Sequence, residues 1–186
     1  MKAFEELKGD LLTRAKNAGA CQRGYAMGLR SETKADLLMA ITENWFWVFS
    51  DEKIVDAEYL EDNFTEEELL QAGIYIRGIH KVKTSSFACG SATVKACDSA
   101  TVEAYDSATV EAYDSATVKA CGSATVKACD SATVKACDSA TVEAYDNSYV
   151  EDCIGNIRPQ SDYAIVKDYY SHKIYIKKGK FEIIEV

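Results

Sequence analysis

Proline is almost missing from this chain: Pro159 is the single one among 186 residues, so no extended proline-rich linker divides it. Histidine is nearly as scarce. His80 and His172 are the only two, and neither sits in an H-E-x-x-H or nucleophile motif. A glycine-rich phosphate loop is lacking as well. The commonest hydrolase and nucleotide-binding motifs are therefore excluded, and no cofactor is expected. No apolar run approaches the ~20 residues that span a bilayer, and the aromatic-rich run from Trp45 to Phe49 is far shorter. The opening residues, Met1-Lys2-Ala3-Phe4-Glu5-Glu6, carry no apolar secretion core. Paired cysteine spacings are also absent. Of seven cysteines, an odd number, those at 89, 97, 121, 129, 137 and 153 occupy one fixed slot of a repeat. A disulfide framework would look different, which points to a reducing cytoplasm.

Basic charge is in short supply too, with a formal net charge of −9. A nucleic-acid ligand needs a basic face, so direct nucleic-acid binding is not expected. An acidic surface suits a basic partner, such as a protein that itself binds nucleic acid, or it serves solubility alone. The charge is uneven: residues 1–82 carry −5, 83–154 carry −6 and 155–186 carry +2. The tail owes its sign to Lys173, Lys177, Lys178 and Lys180, with Tyr175 nearby. Four lysines are few for a phosphate track and read as solvated strand faces.

What is present falls into three segments. Residues 1–73 have helical patterning. Phe4, Leu7, Leu11, Leu12 and Ala15 recur at helical spacing. A second, short helix is predicted through Cys21 to Leu29, weakened by Gly24 and Gly28. Thr33 is placed to cap a third, carrying Leu37, Leu38, Ile41 and Trp45, and Asp56 to Asn63 reads as a fourth. Thr65-Glu66-Glu67-Glu68 is a capping box opening a helix that stops at Gly73. From Ile74 the apolar period changes to two, marking entry into strand.

Residues 91–146 are seven consecutive octads, from SATVKACD to SATVEAYD, flanked by imperfect copies at 83–90 and 147–154. Eight is even, so each copy keeps the same side-chain phase on a pleated strand. Ala92, Val94 and Ala96 fall on one face, small and apolar, suited to the narrow inside of a flattened coil. Thr93, Lys95 and Cys97 fall on the other. Asp98-Ser99 stands where the chain must turn, and Gly90 and Gly122 share the aspartate slot, as a site of unusual dihedrals allows. Charge selects the pitch. Adjacent octads placed side by side would set like charges together at half of the fifth positions, which cross-strand pairing disfavours. Two octads per coil instead pair Lys95–Glu111, Glu111–Lys127, Lys127–Glu143, Glu103–Lys119 and Lys135–Glu151, leaving Lys119–Lys135 alike. A three-octad coil scores similarly, but a two-sided coil of sixteen residues is preferred. In every clean octad Lys accompanies Cys and Glu accompanies Tyr, a linkage that suggests two ancestral units copied in tandem. The tail, 155–186, returns to ordinary strand pattern, with Lys178-Gly179 turning Ile174–Ile176 back into Phe181–Ile184 as a terminal hairpin.

The predicted fold class is α+β: a helical head over 1–73, a parallel β-solenoid over 74–154 and C-terminal strands over 155–186. Open strand edges invite aggregation, so the head is expected to cover one end of the coil and the hairpin the other.

The string S-A-T-V-x-A-Y/C-D/G resembles octapeptide arrays in uncharacterised proteins of bacteriophages and mobile elements. The resemblance covers about 70 residues. It implies a solenoid and a phage origin, hence a host cytoplasm, but brings no catalytic residues with it. The A-[DN]-L-x-x pattern of pentapeptide-repeat DNA mimics is not matched. The helical front end resembles small domains attached to such arrays.

Each chemistry-bearing group has a plain structural reading beside it. Tyrosine replaces the repeat cysteines at 105, 113 and 145, which a zinc ligand position would not tolerate. These cysteines read as filler or an exposed ladder, with Cys121, Cys137 and Cys153 in one column open to adventitious oxidation. The aspartates at 98, 106, 114, 130, 138 and 146 lack the glycine-rich nonapeptide of calcium-binding β-rolls and read as turn caps. Threonine rows would suit ice binding, but the charges at every fifth position disrupt such a surface. Glu66, Glu67 and Glu68 are explained as a helix start.

The reading is a non-enzymatic protein-interaction scaffold with no metal and no membrane partner. It acts through acidic surfaces, as an inhibitor of a host-defence or nucleic-acid-handling protein if phage-encoded. Candidate contact residues are Glu66, Glu67, Glu68, Glu103, Tyr105, Glu111, Tyr113, Glu143 and Tyr145. Pairing of two copies through the C-terminal strands is a further option. The alternatives are a structural spacer or virion-associated repeat protein, and an enzyme with its site at the junction of head and solenoid.

Overall fold

The computed structural model describes residues 1–49, 54–182 and 184, which divide into two units, Met1–Ile74 and Tyr75–Val186. In the first unit the apolar spacings produce helices where they were expected. Helix α1 (Phe4–Asn17) buries Leu7 and Leu11, and α2 (Gln22–Arg30) follows despite its glycines. Thr33 starts α3 (Lys34–Thr42) through a capping box with Asp36, and Leu37, Leu38 and Ile41 go inward. This helix does not run on to Trp45. Asn44 donates its side-chain N–H to the Ala40 carbonyl at 2.9 Å, and α4 (Trp45–Val48) is a separate turn beyond it. Asp56 caps α5 (Ala57–Asn63), and the Thr65–Glu68 box opens α6 (Glu66–Gln71). Gly73 then takes φ +73°, the left-handed value a helix-ending glycine supplies. Asp10 on α1 accepts hydrogen bonds from Lys2, from Arg14 and from the Tyr59 hydroxyl on α5, tying the two helices together.

The second unit is the coil. Its strands are β1 (Ile74–Tyr75), β2 (Ile79–Val82) and β3 (Ser86–Ala88), then one per octad: β4 (Thr93–Ala96), β5 (Thr101–Ala104), β6 (Thr109–Ala112), β7 (Thr117–Ala120), β8 (Thr125–Ala128), β9 (Thr133–Ala136) and β10 (Thr141–Ala144). β11 (Tyr149–Asp152), β12 (Ile165–Asp168) and β13 (Lys173–Tyr175) complete it. Alternate octads join alternate sheets. Among the described residues the first sheet runs β1-β3-β5-β7-β9-β11-β12-β13, and the second runs β10-β8-β6-β4-β2. Neighbouring octad strands are parallel and sixteen residues apart, so Thr93 lies on Thr109, Val94 on Val110 and Lys95 on Glu111. The two-sided sixteen-residue coil is thus the observed one, and the triangular coil is excluded.

The second, fourth and sixth octad positions form the interior, from Val82 through Ala144 to Val166, with Val94, Val102, Val110, Val118, Val126 and Val134 fully enclosed. A single layer encloses little. Each valine contributes roughly 1.5–3 kcal/mol on burial, so stability accumulates by stacking. The outer face departs from the expected pattern at the seventh position. Cys89, Tyr105 and Cys121 are buried, whereas Cys97, Tyr113, Cys129, Cys137 and Tyr145 are partly covered and Cys153 is exposed. Each octad strand ends at position six, so the seventh residue already lies in the corner, and along the first sheet's column its exposure rises from buried Cys89, Tyr105 and Cys121 to exposed Cys153.

The array closes by replacing interior alanine with aspartate. Asp152 stands on Ala136 and under Asp168 in the register. Its carboxylate accepts the backbone N–H groups of Ile154, Gly155 and Ile157 at 2.8, 2.9 and 2.8 Å, fastening the loop that follows. That loop lays Pro159 against Ala144, with Gln160 N–H donating to the Ala144 carbonyl at 2.8 Å, and so bridges the last residue of the second sheet. The chain then returns as β12, an extra rung not foreseen from the sequence. The terminal hairpin is β12 with β13, antiparallel, turning through Tyr169–His172 and not at Lys178-Gly179. The expected second arm, Phe181–Ile184, includes Ile183, which lies outside the described residues; Phe181, Glu182 and Ile184 form no strand.

Candidate functional site

Sixteen-residue register turns every outer octad position into a column. On the second sheet the fifth positions of the octads run Lys95, Glu111, Lys127 and Glu143, opposite charges in succession, with Lys81 of β2 beside Lys95. Lys95 reaches Glu111 at 3.1 Å. Glu111 also accepts the hydroxyl of Tyr113 at 2.8 Å, and Tyr145 donates to Glu143 at 3.3 Å. The Tyr113 hydroxyl and the Lys95 ammonium hold the Glu111 carboxyl below its ordinary range, and Glu111 in turn pushes the Tyr113 phenol up to about 12. On this sheet glutamate and tyrosine two residues apart thus form one hydrogen-bonded unit, Glu111 with Tyr113 and Glu143 with Tyr145. On the first sheet the fifth positions run Glu103, Lys119, Lys135 and Glu151, including the like pair Lys119 and Lys135. Tyr105 is buried there, its phenol raised by burial and by the neighbouring Cys121.

The corners carry the second feature. Asp98, Asp106, Asp114, Asp130, Asp138 and Asp146 all have φ between 51° and 58°, and Gly90 and Gly122 share that conformation at 60° and 64°. At the corner that follows the second sheet, the carboxylates of Asp114, Asp130 and Asp146 accept the backbone N–H of the aspartate one coil earlier, at 2.9, 3.1 and 3.0 Å. Asp98, Asp114, Asp130 and Asp146 therefore form an exposed, continuous carboxylate row. The opposite corner is interrupted by glycine, and there Gly122 N–H donates to Asp138 at 3.1 Å.

The predicted contact residues are not brought into one patch. Glu111, Tyr113, Glu143 and Tyr145 share the second sheet, Glu103 and Tyr105 the first, and Glu66, Glu67 and Glu68 lie in the helical unit. Glu66 and Glu67 are exposed on the first turn of α6, whereas Glu68 accepts the Thr65 N–H at 2.8 Å and pairs with Lys34 at 3.4 Å. Cys121, Cys137 and Cys153 do share one column, and burial pushes each thiol up, away from the reactive thiolate. Among the described residues no three His, Cys, Asp or Glu side chains are grouped to hold a metal ion, and no helix is long and apolar enough to cross a membrane. His80 bonds the Arg77 carbonyl at 2.7 Å beside Tyr75, and His172 sits in the β12–β13 turn with φ 57°.

No family model, curated protein or solved structure matches the chain.

Sequence reasoning missed two things here. The carboxylate-to-amide ladder at the corner joins residues sixteen apart, and it becomes visible only once two octads are assigned to each coil. The β12 rung was legible: Tyr163-Ala164-Ile165-Val166-Lys167-Asp168-Tyr169-Tyr170 matches the octad at alanine, valine, lysine and tyrosine.

Proposed function

We propose that the chain is a rigid, non-enzymatic interaction scaffold whose acidic corner engages a basic protein. The observation that carries this reading is the row Asp98, Asp114, Asp130 and Asp146, held in one backbone conformation and fixed by hydrogen bonds between coils. Its charges repeat at about 4.8 Å, the spacing of neighbouring strands, on the scale of the ~3.4 Å phosphate rise along one nucleic-acid strand. The sheet faces suit that role less well, because their glutamates are interspersed with lysines. The likeness of the repeat to phage and mobile-element arrays extends the proposal: the partner is a host-defence or nucleic-acid-handling protein, met in the host cytoplasm.

Capture from a bacterial host lysate, followed by reconstitution with the identified protein, tests this. Changing all four aspartates to asparagine keeps an acceptor and a residue tolerant of positive φ while removing the charge. The expected result is salt-sensitive binding that the asparagine variant loses while its octad array still melts cooperatively. Equal binding by that variant, or no partner at any salt, overturns the reading.

A second reading, a spacer whose length follows repeat number, is favoured by the strict sixteen-residue register. It requires that removing one whole coil shorten the assembly and preserve its activity.

A further inference from the structure

The two sheets end differently at their C-terminal side. The last strand of the second sheet, β10, is bridged at its final residue, Ala144, by Pro159 and Gln160. The first sheet ends at β13, and among the described residues no strand or backbone bond reaches its outer side. Alternate residues of such an edge turn their N–H and C=O groups outward, ready for another strand. β13 is also held firmly. Asp168 accepts both the N–H and the hydroxyl of Ser171 in the preceding turn, at 2.8 and 2.7 Å, and Lys180 beyond it pairs with Asp162 at 2.7 Å.

Side chains along this edge alternate in kind. Lys173 and Tyr175 lie on the face shared with Asp168 and Val166, and the Arg158 guanidinium stacks 3.8 Å from the Tyr175 ring. Ile174 lies on the opposite face, beside Lys167, and is 64% exposed. Lys177 and Lys178 follow, exposed, and no carboxylate among the described residues forms an ion pair with Lys173, Lys177 or Lys178. Lysines on an open edge repel a like-charged strand, including a second copy of β13, which would bring both sets of lysines together. They attract the opposite kind.

We propose that the β13 edge takes up an extended peptide as an added strand, one with carboxylates at alternate positions and apolar side chains between them. The carboxylates face Lys173 and Arg158, and an apolar side chain covers Ile174. Main-chain hydrogen bonds supply the binding and the alternation supplies the choice of partner. The site is independent of the acidic corner and has the opposite charge preference, so either can fail alone.

The test uses the full chain and two labelled hexapeptides, Glu-Val-Glu-Val-Glu-Val and Lys-Val-Lys-Val-Lys-Val, followed by fluorescence anisotropy. The glutamate peptide is expected to bind at least about tenfold more tightly at low salt and to slow amide exchange in β13. Joint Lys173→Glu and Lys177→Glu substitution should invert the preference, and Ile174→Pro should abolish uptake of either peptide. Thermal melting of the octad array checks that both variants remain folded. Equal affinity for the two peptides overturns the proposal, as does glutamate-peptide binding that survives both variants. A concentration-dependent dimer abolished by Ile174→Pro, with no peptide uptake, would assign the edge to a second copy instead.

Discussion

Six aspartates at the coil corners hold a left-handed conformation that ordinarily costs an L-residue about 1–2 kcal/mol, less for aspartate, whose short side chain bonds locally. Each member of the Asp114, Asp130 and Asp146 set recovers that cost by accepting an N–H from the coil before. Substitutions at Asp114 should therefore rank in a definite order. Asn keeps both properties and should cost under ~1 kcal/mol. Gly keeps only the conformation and should cost about 1 kcal/mol, and Ala loses both and should cost about 2–3 kcal/mol. Chemical denaturation of the three variants checks the order, and Ala matching Asn would refute the account. A second residue argues in the opposite sense. Ser148 is fully buried in a slot that is alanine in every clean octad, and its hydroxyl has no hydrogen-bond partner among the described residues. Ser148→Ala should raise stability by about 1 kcal/mol, read as a higher denaturation midpoint. The corner conformation was legible in the sequence because Gly90 and Gly122 occupy the aspartate slot. The ladder was not, since it joins residues distant along the chain.

At the scale of single elements, the closing turns depend on carboxylates. Asp152→Ala would strand three loop N–H groups at once and should cost about 2–4 kcal/mol, concentrated in residues 153–160. Amide exchange should rise at Ile154, Gly155 and Ile157 while the octad valines stay protected. Asp168 adds a pH dependence. The hydroxyl and N–H of Ser171 hold its carboxyl below the ordinary value. A carboxyl more acidic folded than unfolded stabilises above the ordinary aspartate range, and the effect fades as pH falls through it. Protection of the Ser171 amide should accordingly drop below about pH 4, and a profile flat to pH 2 would contradict this. The element types over residues 1–73 were readable because apolar spacing and capping boxes are local signals. The hairpin was misplaced for the same reason: Ile174 marked a strand correctly, although β13 stops at Tyr175 and leaves Ile176 outside it, and its partner was chosen from the nearest glycine turn. The actual turn is built by Asp168 and Ser171, whose pairing carries no strong local motif.

For the coil as a whole, the number of octads fixes which sheet each later strand joins. Removing residues 115–130, two octads, should leave β11 and β12 on their present sheet and reduce the melting transition without broadening it. Removing 115–122 alone should also fold, but it transfers every later strand to the opposite sheet. Fluorophores placed at Lys95 and Lys167 through non-canonical residues, now on different sheets, would then share one, and energy transfer between them should rise. Unchanged transfer would mean the array tolerates the loss in another way. This periodic logic was partly open to sequence reasoning: charge pairing at the fifth positions disfavours one octad per coil, but it scores two and three alike. Burial at the seventh position was not open to it, because corner packing changes along a column built from the same residues, from buried Cys121 to exposed Cys153.

Identical octads superpose residue for residue, so the array by itself does not say which copy belongs on which. Sliding one stretch past another by a full coil restores nearly every valine contact and sacrifices only a rung at the tip. What singles out one alignment is the irregular border, where Asp152 finds alanine beneath it and three waiting amides beside it. A nascent chain that has made its octads but not yet residues 147–168 has several near-equivalent ways to wind, and it settles on one when that border emerges.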